Sequence, residues 1–128
     1  MVAEAKAQFG CINGVIHASG LHGGGFIQRQ TRETLEHTLA SKVKGTLVLH
    51  RLLKDEPLDF MILCSSVSGL LPEFCEIGYG AANIFLDAFA HYDTTVNGRS
   101  TVAVNWGRWR GRGLSVKIEE EHRKRTGH

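Results

Sequence analysis

The chain has 128 residues, of which 42% are hydrophobic and 22% are charged, and its formal net charge is +2. This length suits one domain of an ordinary globular protein, and the small net charge gives no reason to propose a nucleic acid partner. No apolar stretch approaches the ~18 residues that a membrane-spanning helix needs, and the first residues lack the pattern of a signal peptide. We therefore predict a protein without membrane or nucleic acid partners.

The cysteines indicate the redox compartment of the protein, and the histidines bear on whether it has a metal site. Three widely spaced cysteines form no disulfide framework, and this pattern favours a reducing compartment such as the cytoplasm. Cys64 lies inside an apolar run, so we interpret it as a small buried apolar residue. The seven histidines show neither HExxH nor CxxC spacing, so no metal site is predicted.

The first predicted elements are a strand, a loop and a long helix. The apolar run in "CINGVIHASG" (11–20) is typical of a buried strand, whereas the three adjacent glycines in "LHGGGF" (21–26) predict a loop. Leucines and a valine then recur at near-helical spacing over 31–56. Thr31 supplies an N-cap for this helix, and Pro57 follows its end.

The second half of the chain repeats this alternation. "LDFMILCSS" (58–66) is continuously apolar from Phe60 to Cys64, as expected for a strand of a parallel sheet that is covered by helices on both faces. The remaining segments are predicted as a loop (68–78), a helix closed by "NG" (79–96) and a buried strand (100–107). A second loop (108–115) and a short charged helix (116–128) follow. The order predicts an α/β fold with right-handed crossovers.

Polar or small residues follow each predicted strand. In open α/β sheets ligands bind beyond the carboxyl ends of the strands, where "HASG" (17–20), "SSVSG" (65–69) and "NWGRW" (105–109) arrive together. A serine pair in this position is also common as a turn or a helix cap. Three such strand ends together indicate a binding site.

The predicted helices also carry polar residues that do not fit simple packing. Lys42 lies beside the apolar stripe of its helix, where its stem could be buried and its ammonium exposed. Tyr79 and Asn83 are four residues apart, so they lie on one helix face. A packed tyrosine with an exposed asparagine would also explain this pair.

Together these segments resemble the ketoreductase domain of a modular polyketide synthase, a branch of the short-chain dehydrogenase/reductase family. "YGAAN" resembles "YAAAN", in which asparagine stands where the wider family has lysine, and "LASKVKGTLVLH" resembles the "PKVxGxxxLH" stretch that carries the lysine instead. Three further segments, "FMILCSSVSG", "GVIHASG" and "VAVNWGRW", resemble "FVLFSSxAG", "GVVHAAG" and "xSxxWGxW". The resemblance covers roughly residues 12–113 and places the catalytic residues at Lys42, Ser66, Tyr79 and Asn83.

The resemblance implies reduction of the β-keto group of an acyl-carrier-protein-bound substrate by NADPH. Ser66 would orient the carbonyl, and the Lys42 ammonium would favour the phenolate form of Tyr79, which suits proton transfer. Asn83 would order a relay water and help to hold Lys42. The implied cofactor-binding residues are Ala18, Ser19, Gly20, Lys42, Tyr79, Asn105 and Trp106.

The sequence also departs from the family. It contains no GxGxxG motif, whose helix N-terminus receives the cofactor pyrophosphate, and "GLHGGG" (20–25) has the wrong spacing. We therefore expect residues 1–128 to be the C-terminal portion of a catalytic subdomain, a Rossmann-like doubly wound sheet whose first half is missing, with the rest of the synthase as partner. His22, Gly23 and Gly24 replace the "LDD" of one stereochemical class and Leu71 the tryptophan of the other, so the product configuration stays open.

Two other functions remain open at this stage. A non-catalytic remnant or assembly piece would pair, or self-associate, through its exposed sheet edge. A stand-alone short-chain reductase would act on free small ketones. The complete set of Lys42, Ser66, Tyr79 and Asn83 argues against the remnant, and the exchange of lysine and asparagine argues against the stand-alone reductase.

Overall fold

The described part of the chain forms a three-stranded parallel sheet whose strands lie in sequence order. The structure is a computed structural model that describes residues 2–21, 23–71, 75–109 and 116. Its strands are β1 (Gly14–His17), β2 (Phe60–Ser66) and β3 (Thr101–Trp106), with β2 in the centre. The predicted α/β fold and all three strands are thus confirmed.

The predicted long helix is divided into three parts. Helix α2 (Arg32–Leu39) leads into a five-residue π turn (Ala40–Lys44) and then into α3 (Gly45–Leu52). The predicted N-cap is confirmed, because Thr31 Oγ1 accepts from the Thr34 amide at 3.2 Å. The helix ends before Leu53, whose φ of −107° is not helical, so the predicted end at residue 56 is wrong by four residues.

The helix with the tyrosine and asparagine is the longest element. Helix α4 (Ile77–Asn97) begins two residues earlier than expected. It ends where "NG" predicts, because Gly98 adopts the left-handed conformation with φ +67°. A further helix, α1 (Val2–Phe9), was not predicted, and its Lys6 forms an ion pair with Glu56 at 2.5 Å. The predicted charged helix over 116–128 and most of the loop over 108–115 lie outside the described residues.

The core lies on one face of the sheet. Strand side chains alternate between faces, and those of Met61 and Leu63 face the helices. The buried apolar cluster is completed by residues of the α3 end and of α4: Leu53, Leu86, Phe89 and Ala90. No helix in the described part of the chain is both long and apolar enough to cross a bilayer.

The opposite sheet face remains open in the described part of the chain. Ile16 pairs in register with Ile62, and Ile62 with Val102, yet Ile16 is 63% and Val102 54% exposed. The expectation that helices cover both faces is not met here. Both crossovers run in the same direction across the sheet, and right-handed crossovers then place both connecting helices on one face. For the same reason Cys64, on the open face, is half-buried rather than buried as predicted.

Candidate active site

The three strands deliver their carboxyl ends to one edge of the sheet. Ser65 lies beside Asn105 in register, and Ser66 lies beside Trp106. β1 ends next to them, with His17 opposite Leu63. The segments that follow the strands therefore meet at this edge, as the sequence predicts.

Lys42 reaches this edge from the π turn. It is only 5% exposed, and its Nζ donates to the backbone carbonyl of Cys64 in β2 at 2.5 Å. Gly20 lies against its tip, since a Cβ on Gly20 would be 3.3 Å from Lys42 Cε and 3.7 Å from Nζ. The alternative of a lysine with an exposed ammonium is therefore wrong.

The surroundings of Lys42 shift the pKa of its ammonium. Burial lowers the pKa of the Lys42 ammonium from its ordinary value, and interactions with Cys64 and with the Asp87 carboxylate raise this pKa in part. Sequence reasoning missed Asp87. The signal for it was its position four residues after Asn83, which continues the spacing of Tyr79 and Asn83 along one face of α4.

The serine pair connects β2 with the next elements. Ser66 is 8% exposed, and its Oγ accepts from the Ser68 amide at 3.2 Å, so it caps the short 3₁₀ turn Val67–Gly69. Ser65 Oγ donates to the backbone carbonyl of Asn83 at 3.2 Å. The helix-cap reading is thus correct for Ser66, and the same bonds hold its side chain at the carboxyl end of β2.

Asn83 is fully buried, whereas Tyr79 is half-buried. The Asn83 Nδ2 donates to the Tyr79 carbonyl at 2.9 Å, and its Oδ1 has no partner among the described residues. Gly69 packs tightly here, because a Cβ on it would lie 3.3 Å from Asn83 Cβ and from the Ile84 amide nitrogen. The alternative of a packed tyrosine with an exposed asparagine is therefore wrong.

The predicted cofactor-binding residues lie along the same edge. Ala18 and Ser19 are exposed after β1, and Gly20 is half-buried beside Lys42. On β3, Asn105 carries a buried Oδ1 that has no partner among the described residues, and Trp106 is 45% exposed. The Lys42 ammonium beside Gly20 is a donor, and the Asn105 Oδ1 on β3 is an acceptor, of the kind that a nicotinamide cofactor would use.

Within the described ranges, no group of three or more histidine, cysteine, aspartate or glutamate side chains is placed to hold a metal ion. Lys42, Ser66, Asn83 and Asn105 bring an ammonium, a hydroxyl and two amides toward this edge.

Comparison with known proteins identifies the family. The family model described as the KR domain matches residues 1–111. The chain belongs to the KR domain family. It is 36% identical over 128 residues to polyketide synthase PksN of Bacillus subtilis, covering 96% of this chain and 2% of that protein. It is 31% identical over 108 residues to 6-methylsalicylic acid synthase of Penicillium patulum, covering 84% of this chain and 6% of that protein.

Solved ketoreductases share the fold of this KR chain. A ketoreductase domain from the bacillaene assembly line superposes with a TM-score of 0.81 at 38% identity, covering 98% of this chain and 32% of that chain. The ketoreductase from the first module of phoslactomycin biosynthesis in Streptomyces sp. HK803 superposes with a TM-score of 0.83 at 33% identity. This match covers 96% of this chain and 28% of that chain. The KR chain thus spans about a third or less of these domains, and a few per cent of the curated synthases. The resemblance to polyketide synthase ketoreductases is confirmed.

Proposed function

We propose that this KR chain supplies the catalytic residues for NADPH-dependent reduction of the β-keto group of an acyl-carrier-protein-bound polyketide intermediate, within a larger cytoplasmic synthase. One observation carries the proposal. The buried Lys42 ammonium is anchored to the Cys64 carbonyl, at the sheet edge where Ser66 ends β2 and Asn83 packs beside it. A buried ammonium costs stability unless it is hydrogen-bonded or paired, and the carboxyl end of a parallel sheet is where such folds bind their ligands.

Reduction of a ketone needs a hydride, a proton and a group that orients the carbonyl. Bound NADPH supplies the hydride to the carbonyl carbon. In this proposal Ser66 Oγ, which donates to Ser68 Oγ at 3.3 Å in the structure, turns its hydrogen to the carbonyl oxygen of the bound substrate. The Tyr79 phenol donates the proton that turns this oxygen into a hydroxyl. The phenolate left on Tyr79 takes up a proton from solvent through a relay of bound water.

Lys42 and Asn83 support that proton transfer. The ammonium has three N–H donors, and among the described residues the Cys64 carbonyl accepts from one of them. The other two would serve the nicotinamide ribose and the proton relay. The Asn83 Oδ1, buried and without a partner among the described residues, would accept from a relay water. The Ala18–Gly20 segment, Asn105 and Trp106 complete the nicotinamide side of the site.

The test uses a complete ketoreductase domain that contains residues 1–128, called the complete domain below. Tyr79→Phe should lower turnover by about 10²- to 10⁴-fold, the usual contribution of a general acid, and leave NADPH affinity within about twofold. Tyr92→Phe, an exposed tyrosine on the same helix, is the control and should match the unaltered domain. Turnover near the unaltered value in Tyr79→Phe would rule the proposal out.

The open sheet face supports a second candidate, an assembly element without catalysis. Ile16 and Val102 expose apolar surface that another chain segment would cover. The two candidates are separated by turnover in the complete domain, because an assembly element predicts none.

A further inference from the structure

His17 contacts the turn that carries Lys42. It is the last residue of β1 and is 8% exposed. Its Nε2 lies 3.2 Å from the backbone carbonyl oxygen of Ser41, the residue before Lys42 in the π turn. Sequence reasoning did not single out His17, although it closes the apolar run of β1 with a polar ring.

The π turn changes the hydrogen bonds of the Ser41 carbonyl. In a regular α-helix it would accept from the amide of residue 45. The Gly45 amide instead donates to the carbonyls of Ala40 and Lys42, on either side of Ser41. The imidazole of His17 gives the Ser41 carbonyl a hydrogen-bond partner from outside the helix.

Gly45 leaves room for the ring. A Cβ on residue 45 would lie 3.3 Å from His17 Cε1 and 3.4 Å from Nε2. Such contacts are tighter than normal packing, so a side chain at 45 would push the ring away from Ser41. The imidazole of His17, at the end of β1, thus packs against both Ser41 and Gly45.

The π turn decides where Lys42 points. It inserts one extra residue into the helix, and each residue turns an α-helix by about 100°. If the turn relaxed to α-helical geometry, residues on one side of it would rotate by that angle relative to the other side. The bond from Lys42 Nζ to the Cys64 carbonyl depends on the present rotation.

We propose that His17 is a positioning residue for Lys42: it donates from Nε2 to the Ser41 carbonyl and thereby stabilises the π turn that places the Lys42 ammonium at the sheet edge. This inference rests on the proposed function, in which Lys42 binds the cofactor and assists Tyr79.

The charge state of His17 agrees with this role. Burial lowers the pKa of the imidazole, the bond to Ser41 raises it in part, and the nearby Lys42 ammonium lowers it further. The ring is therefore neutral at neutral pH and carries one N–H. Because a carbonyl oxygen only accepts, that hydrogen belongs on Nε2.

The first test measures this tautomer directly. A long-range ¹H–¹⁵N spectrum of the complete domain should show His17 protonated on Nε2 and not on Nδ1. The opposite tautomer would overturn the proposal, and the measurement needs no variant.

The second test compares two substitutions in the complete domain. His17→Gln keeps an N–H donor of similar reach, whereas His17→Leu keeps the bulk and removes the donor. We expect His17→Leu to lower turnover by about 10- to 100-fold, the cost of a displaced catalytic group, and to weaken NADPH binding. His17→Gln should stay within about threefold of the unaltered domain.

A measurement at Lys42 distinguishes a positioning role of His17 from a general effect on stability. The pH dependence of Lys42 acylation by an amine-reactive reagent reports the ammonium pKa, which burial now lowers. In His17→Leu the midpoint should rise toward the ordinary lysine value, because the ammonium leaves its buried place, and in His17→Gln it should not move. His37→Leu, an exposed histidine on α2, should change neither readout.

The outcomes distinguish this inference from the proposed function. If Lys42→Ala abolishes turnover while His17→Leu changes neither turnover nor the Lys42 midpoint, His17 has no positioning role and the proposed function stands. If Lys42→Ala keeps its turnover, the proposed function fails, and the tautomer and the labelling midpoint still decide the role of His17.

Discussion

The side-chain amide of Asn83 donates from Nδ2 to the backbone carbonyl of Tyr79, one helical turn earlier on α4, at 2.9 Å. This bond uses the NH₂ group of the amide for a contact within the helix. It leaves Oδ1, a buried acceptor without a partner among the described residues, as the group available to the site. A polar atom of this kind costs stability unless something else binds it.

This leads to a prediction for Asn83→Leu in the complete domain. Leucine keeps the number and branching of the side-chain heavy atoms and removes the buried unpaired acceptor, so the melting temperature should stay the same or rise, while turnover falls at least tenfold because the relay is lost. Calorimetry and steady-state kinetics measure the two effects. Asn97→Leu, at the far end of α4, is the control and should keep its turnover. A parallel loss of stability and turnover in Asn83→Leu would contradict the relay role.

Lys42 should have two separable roles. Lys42→Ala should weaken NADPH binding and slow turnover, because it removes both the ribose donor and the charge beside the reacting groups. Lys42→Arg should restore neither role fully, since a wide planar guanidinium replaces a compact ammonium in a site that is only 5% exposed. Fluorescence titration with NADPH checks the binding effect. Lys44→Ala, its exposed neighbour, is the control, and unchanged NADPH affinity in Lys42→Ala would contradict the ribose contact.

Acid should destabilise the complete domain partly through His17. The folded pKa of His17 lies below the ordinary value of 6.5, so the unfolded chain takes up the proton first as the pH falls. The free energy of unfolding should therefore be unaffected above pH 6.5 and decrease as the pH falls through 6.5 and then through the lower folded pKa. Urea unfolding at several pH values measures this. His17→Gln should flatten the decrease, and His37→Gln should leave it unchanged; equal slopes in all three proteins would refute the assignment.

Much of the fold was predictable because its signals are local. Apolar runs predicted all three strands, Thr31 predicted the start of α2, and the "NG" pair predicted the end of α4. The lysine, serine, tyrosine and asparagine that we propose as catalytic were identified by the resemblance of their motifs to those of the family, and the structure brings Lys42 and Ser66 to one sheet edge. Their chemical roles stay predictions.

The π turn and the residues around it were not predictable from such signals. The change of hydrogen-bond register at Ala40–Lys44 depends on a histidine 24 residues away in sequence and on the space beside Gly45. Helical periodicity carries no information on such a contact. The open sheet face was missed for a related reason, because an apolar strand does not reveal whether both of its faces are covered.

Gly69 should stabilise the fold because it has no side chain, and not because of its backbone conformation. Gly69→Ala would press a Cβ against the Ile84 amide nitrogen and the Asn83 Cβ, both at 3.3 Å, and backbone atoms cannot rotate away. We expect a loss of about 1–3 kcal/mol in the free energy of unfolding. Gly107→Ala is the matched control, because nothing lies within 4 Å of its added Cβ and its melting temperature should hardly change. Equal stability of the two variants would contradict the close packing.

Residues 1–128 produced alone should self-associate. The outer edge of β1 carries unpaired backbone groups in the described part of the chain, and the adjoining sheet face exposes Ile16. Sedimentation velocity should show concentration-dependent species larger than a monomer, and Ile16→Lys should shift them toward the monomer. Val96→Lys, at the exposed end of α4, is the control and should not. Since no GxGxxG motif is present, NADPH should bind this chain weakly; a well-folded monomer with micromolar affinity would contradict both expectations.

The sheet has the same order in space as along the chain, and this affects how it is synthesised. A ribosome releases β1 before β2 and β2 before β3, so each new strand meets a partner that is already complete. Until β3 emerges, the growing edge is β2, which is apolar from Phe60 to Cys64. A translational pause after β2 has left the ribosome, but before β3 has done so, would therefore expose this apolar strand of the nascent chain, whereas a pause after β3 has left would find β2 paired on both sides.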